Sequence, residues 1–226
     1  MLRTAIAAAL AALSFQASAG LLSGADNAVR IDGFSHGYAA VDVTVDSFGT
    51  IGAGQLLGMA NGSSFLTYCT DLFQSFSWGQ SYTYSLVSNG AANGLTTTQA
   101  DRLGKLYTVA GGPATNTTDS AAFQLAVWEL LYDSTPGNVT TGDFRLNTGA
   151  TTEQRNRANE WLTTALDPGA TRSFNAQRLY SSVAQDFVVF TPLPIPSLTT
   201  GAVSEPAGYG LVVLAFGLLY LTRRRS

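Results

Sequence analysis

The feature that most restricts how this chain can fold is a change of hydrophobic period along it. Ala39, Val41, Val43 and Val45 alternate with Asp42, Thr44 and Asp46, the period of two by which a strand buries one face. Farther on, from Thr98 to Leu166, apolar residues recur at helical spacing, and residues 186–190, Asp186 followed by a continuous apolar run, then read as a buried strand. Strands are also predicted at 64–69, entered through an Asn61-Gly62 turn, and at 82–87, between Trp78-Gly79 and Asn89-Gly90.

Three helices fill the middle. Thr98 reads as the N-cap of the first, which carries Leu103, Leu106, Tyr107 and Ala110 and stops at Gly111-Gly112-Pro113. Thr118 or Asp119 opens the second, running through about Tyr132 as an amphipathic helix with Phe123, Val127, Leu130 and Leu131 on its core face. Thr151 and Gln154 form a capping box for the third, with Ala158, Trp161, Leu162, Ala165 and Leu166 on one side and Asp167-Pro168-Gly169 as its stop. Strands, then helices, then one returning strand predict an α+β domain over residues 20–191. A 226-residue chain has room for one such core plus terminal appendages.

Both ends carry targeting patterns. Arg3, an apolar stretch over residues 4–13 and Ala17-Ser18-Ala19 make up a secretory signal peptide, residues 1–19. At the other end a Pro/Thr spacer, residues 192–202, is stiffened by Pro192, Pro194 and Pro196. Residues 203–226 hold Glu205-Pro206, an apolar run predicted to span the membrane as a helix over 206–222, and the cluster Arg223, Arg224 and Arg225. The arginines should stay cytoplasmic and leave the domain outside. With 12 basic and 15 acidic residues and no other basic cluster, the chain carries no nucleic-acid footprint.

The C-terminal pattern resembles the PEP-CTERM sorting signal of exosortase-bearing Gram-negative bacteria, with Ser204 where the first proline commonly stands. The resemblance implies recognition by an exosortase-type sorting enzyme that cuts near the motif. It also implies tethering to the inner membrane followed by release to the cell surface or extracellular matrix. A permanent tail anchor is the alternative reading of the same residues.

Cys69 is the only cysteine, and exported domains usually pair their cysteines. Three accounts are open for it: a small buried hydrophobe, a partner for another chain, or a sulfur that has attacked a glutamine side-chain amide and expelled ammonia. The last requires a glutamine held rigidly beside it. Gln124 meets the sequence requirement, because Ala121, Ala122 and Ala126 around it would let another element approach closely and Trp128 lies one turn on, where its ring could cover the site.

Tyr68-Cys69 on a strand and Gln124-Leu125-Ala126-Val127-Trp128 on a helix resemble the paired motifs of thioester domains on Gram-positive surface adhesins. Phe123 stands where many of those have threonine. The resemblance implies a β-barrel or sandwich carrying about three helices, with Cys69 and Gln124 as the cross-link and Tyr68, Asp71 and Trp128 as support for it. It further implies capture of an amine or hydroxyl on an extracellular polymer or surface protein, by a chain that is not a turnover enzyme.

Other residues carry less. Asp71 reads as a turn group with a secondary role in proton transfer, Glu129 as a solvated helix position, and His36, the only histidine, has no ligand partners in sequence, so no metal or cofactor is expected. Two other functions remain in view. One is a structural envelope or biofilm-matrix protein whose cross-link is unreactive or whose thiol is free. The other is a sugar-binding or hydrolase module using Asp71, Glu129, Trp78, Tyr82 and Tyr84.

Overall fold

The computed structural model describes Leu22 and residues 24–194 apart from residues 46–48. The predicted signal peptide, sorting motif at Glu205 and Pro206 and membrane helix over 206–222, with the arginine cluster, lie outside the described residues. Among those described, no helix is long and apolar enough to cross a membrane.

The fold is α+β, a closed barrel of six strands joined to a second layer of three helices and a three-stranded sheet. In chain order the strands are β1 (Asn27–Phe34), β2 (Ala39–Thr44), β3 (Gly49–Ala53), β4 (Leu56–Ala60), β5 (Ser63–Cys69) and β6 (Ser81–Val87). Helices α1 (Thr97–Val109) and α2 (Thr117–Tyr132) follow, then β7 (Arg145–Thr148), α3 (Thr152–Ala165), β8 (Phe174–Tyr180) and β9 (Phe187–Pro192). The barrel runs β1-β4-β5-β9-β8-β6, and β3-β2-β7 form the separate sheet.

Local chemistry sets the boundaries. Asn61 and Gly62 take φ of 49° and 78°, the left-handed pair that turns β4 tightly into β5. Thr96 rather than Thr98 caps α1, because the Gln99 side chain three residues on can complete the capping box. Asn116 caps α2, its side chain accepting from the Asp119 N–H at 2.9 Å, so that Asp119 falls inside the first turn. The Thr151–Gln154 box opens α3 as the sequence predicts.

The barrel interior is filled by Val29, Ile31, Leu56, Phe65, Leu179 and Phe187, while a larger core lies between the barrel wall and the helices. Strand β9 divides the two. Phe187 and Val189 face into the barrel and Val188 and Phe190 face the helical layer, which is why the strand is apolar at successive positions.

Helix α2 departs from the amphipathic expectation. Every residue from Ser120 to Leu130 is buried, because the helix is packed against α1, α3, β3 and β5 together. Gln124 and Glu129 are therefore inside the protein, at 0% and 1% exposure. Polar groups so placed persist only where they have partners, so each marks a built contact.

Strands β3 and β4 are joined where the chain passes close to β1. A Cβ on Gly54 would stand 2.7 Å from the Gly37 carbonyl oxygen and 2.9 Å from the Phe34 ring. Gly54→Ala should therefore destabilise the fold by about 1–3 kcal/mol, the usual range for overpacking, measured as a lowered urea midpoint with unchanged slope.

Candidate functional site

The site is built where β5 runs past its neighbour. The β4–β5 ladder ends at the Leu56↔Thr67 pair, so the backbone of Tyr68 and Cys69 has no strand on that side. The Gln124 side chain from α2 fills the gap. Its Oε1 accepts from the Cys69 N–H and its Nε2 donates to the Cys69 carbonyl, both at 2.9 Å. This is the two-point exchange of a hydrogen-bonded antiparallel pair, made by a side-chain amide in place of a strand. On its other edge β5 is laddered to β9 through Tyr68↔Val188 and Cys69↔Phe187.

Gln124, Trp128 and Tyr132 recur every four residues and form one stripe of α2 against the chain at 69–72. Tyr132 Oη accepts from the Leu72 N–H at 2.9 Å and donates to the Thr70 carbonyl at 3.0 Å, fixing the segment that follows the cysteine. The Trp128 indole is fully buried, and its N–H has no conventional acceptor among the described residues. Contact with that indole nonetheless favours the Cys69 thiolate.

Burial dominates the sulfur's chemistry. It pushes the Cys69 thiol up to about 12, and the charges of Asp71 and Asp186 act in the same direction against the Trp128 contact. At neutral pH the sulfur is thus a thiol, and it donates to the Asp71 carbonyl oxygen at 3.2 Å. Cys69 is a free cysteine in this structure.

Asp71 contributes through its backbone. Its carboxylate accepts from the Phe73 N–H at 2.8 Å in a local turn, while its carbonyl oxygen faces the sulfur. Tyr68 points to the other side of β5, where its hydroxyl accepts from Gln55 Nε2 at 2.9 Å and its ring meets Phe123 at 4.5 Å. Phe123 also packs against Tyr107, Trp161 and Phe190, so this position is an aromatic anchor for α2.

Glu129 is not solvated. Its Oε1 accepts from the Gly137 and Asn138 N–H groups at 2.8 and 3.0 Å, tying the loop after α2 to the helix, and burial raises its pKa. Of the other residues considered for a sugar site, Trp78 is exposed, Tyr84 is buried with its hydroxyl on the Gln185 carbonyl, and the Tyr82 hydroxyl accepts from the Ser77 N–H. His36 contacts Ser35, and among the described residues no group of His, Cys, Asp and Glu could hold a metal.

Gln185 completes the site and carried no signal in the sequence. It lies in the β8–β9 connection, distant in sequence from both motifs, and its Nε2 is 2.8 Å from Cys69 Sγ and 2.8 Å from the Asp71 carbonyl oxygen. A cavity of about 100 Å³ is lined by Cys69, Gln124, Gln185, Phe34, Phe76 and Trp78 among others. A larger one of about 420 Å³ shares Phe76, Trp78 and Gln185 with it and continues past Phe73 and Gln74. Phe73 and Trp78, at 56% and 52% exposure, mark its outer edge.

No family model matches the chain, and no curated protein matches it. Among solved structures, the N-terminal domain of the Streptococcus pyogenes pilus tip adhesin Cpa is similar at 15% identity with a TM-score of 0.44, over 62% of this chain and 84% of that one. A likeness this distant carries no argument about what the chain does.

Asp186, next to Gln185, braces the connection: its Oδ1 accepts from the Ser181 N–H at 2.8 Å and its backbone carbonyl accepts from the Thr70 N–H at 2.9 Å. Burial raises its carboxyl to about 6, against the opposing pull of the Ser181 N–H and Arg178. A raised carboxyl binds its proton more tightly in the folded chain, so its contribution is fully present below the unfolded value and is lost as pH rises through about 6. Asp186→Asn should remove that loss. The melting temperature of the variant should gain on wild type as pH rises from about 4 to 7, and a constant difference across that range would contradict the assignment.

Proposed function

We propose that this chain is an exported surface protein in which Cys69 and Gln124 condense to an internal thioester that captures a nucleophile on an extracellular partner. The observation that carries the reading is the two-point grip of the Cys69 backbone on the Gln124 carboxamide. It holds the amide next to the residue that bears the thiol, at the wall of a cavity of about 100 Å³ that both residues line. Amides are poor electrophiles, and this kind of fixed placement is what their attack by sulfur demands.

Formation joins Cys69 Sγ to Gln124 Cδ, breaks the C–N bond and sends the thiol proton to the departing nitrogen, so that ammonia leaves. The Cys69 N–H, already bonded to Gln124 Oε1, is placed to stabilise charge developing on that oxygen. Capture follows when an amine or hydroxyl adds to the acyl carbon. The C–S bond breaks, the sulfur takes the proton, and a γ-glutamyl amide or ester remains. The bond is consumed in the process, so the chain acts once and does not turn over.

Export and sorting rest on the signal peptide and on Glu205, Pro206 and the arginine cluster. In this reading an exosortase-type enzyme and the inner membrane handle the C-terminus, and the partner is an extracellular polymer or surface protein. A second reading is favoured by the burial of Cys69: the cross-link serves as a staple only. Joining positions 55 residues apart would restrict the unfolded chain by about 4 kcal/mol on the loop-closure model.

Small amines separate the two readings. The purified full chain should have a mass one ammonia below that of the same chain with both side chains free. Methylamine should then add one molecule of itself and expose one thiol, and Cys69→Ala should do neither. A staple would show the missing ammonia without the reaction, and a full mass with a free thiol would exclude both. Because Trp78 stands between the two cavities, Trp78→Ala should accelerate capture of a bulky amine more than capture of methylamine.

A further inference from the structure

We infer that Gln185 is a third working residue of this site, donating a hydrogen bond to the Cys69 sulfur as negative charge gathers on it. The inference rests on the thioester reading and assigns the residue that assists departure of the sulfur. Gln185 is 6% exposed, and its Nε2 lies 2.8 Å from both Sγ and the Asp71 carbonyl oxygen. Its backbone is held in place independently. The Tyr84 hydroxyl donates to the Gln185 carbonyl at 2.9 Å, and the adjoining Asp186 is fixed by Ser181 and Thr70.

The geometry suits a change of hydrogen-bond polarity at sulfur. As a thiol, Cys69 donates its own proton to the Asp71 carbonyl, and Gln185 shares that acceptor. When the nucleophile adds and the C–S bond breaks, the electron pair stays on sulfur, which then needs donors. One is already in place, the Gln185 amide N–H, and the buried Trp128 indole, whose N–H has no acceptor among the described residues, also favours the thiolate. The sulfur next takes the proton released by the attacking amine, so the sum is thioester plus amine giving amide plus thiol. Gln185 is unchanged throughout. Hydrogen bonds to a charged group in a dry site are worth more than those to neutral ones, and here the charge exists only in the transition and leaving states.

Gln185 also lines both cavities on the approach to Cys69. A carboxylate at this position would meet the developing thiolate with repulsion, whereas an alkyl group would only withdraw the donor. Repacking alone does not predict that order.

The test compares full-length wild type, Gln185→Leu and Gln185→Glu by intact mass, with circular dichroism confirming the fold. Each is timed in its reaction with methylamine. Gln185→Leu should capture about tenfold or more slowly, and the nearly isosteric Gln185→Glu more slowly still. Where Leu does not fold, Glu carries the comparison alone. A folded variant that retains its ammonia and its thiol supports the same role, because the attacking sulfur passes through the same charge. Wild-type capture with unchanged rates in folded variants would overturn the role of Gln185 while leaving the thioester intact. Absence of ammonia loss and of methylamine addition in wild type would overturn the thioester reading itself.

Discussion

The structure depends on a strand edge completed by a side chain. Strand β5 outruns β4, and the backbone groups exposed by that overrun would be buried without partners were Gln124 not there. Satisfying them requires a carboxamide at a fixed distance, and that in turn requires α2 to lie directly against the barrel wall. The alanines at 121, 122 and 126, all fully buried, permit the approach. Phe123, set in its cluster of rings, fixes the rotation of the helix about its axis.

The same arrangement makes the site dry and electrically one-sided. Sulfur, amide and indole are all buried, and the groups that meet the thiol are a main-chain carbonyl and a neutral N–H donor. Burial holds the cysteine protonated at neutral pH, and the Gln185 N–H lies at the sulfur. A buried thiol so equipped is unlike one that merely fills space, since apolar neighbours alone would satisfy the latter.

Strand β2 was legible from its alternation, and β5 and β6 from the turns that bound them. The Thr151 box and the apolar β9 were likewise readable, each being fixed by residues near in sequence. What escaped was set by distant neighbours. Strand β4 was not predicted, and its Gly58 is explained only by its cross-strand neighbour, since a Cβ there would stand 2.5 Å from the Phe65 ring. Helix α2 has polar residues that suggest a wet face, and only its enclosure by other elements turns Glu129 inward. Cys69 and Gln124 could be paired on paper because each sits in a distinctive local pattern. Gln185 could not, since nothing around it in the chain hints that the β8–β9 connection returns to the cysteine.

The final strand has a mechanical consequence. β9 is laddered to β8 over six residue pairs from Phe174↔Pro192 to Leu179↔Phe187, and to β5 at its opposite end. Tension applied to the chain as it leaves Pro192 would pull β9 along its own axis. The ladder bonds would then share the load and yield together in shear instead of opening one by one like a zipper. Resistance to such a pull is governed by the rate of unfolding rather than by the equilibrium stability. The segment bearing Gln185 and the Cys69 contacts is at the far end of the loaded strand, so the pull would reach the site only when the whole ladder gives way.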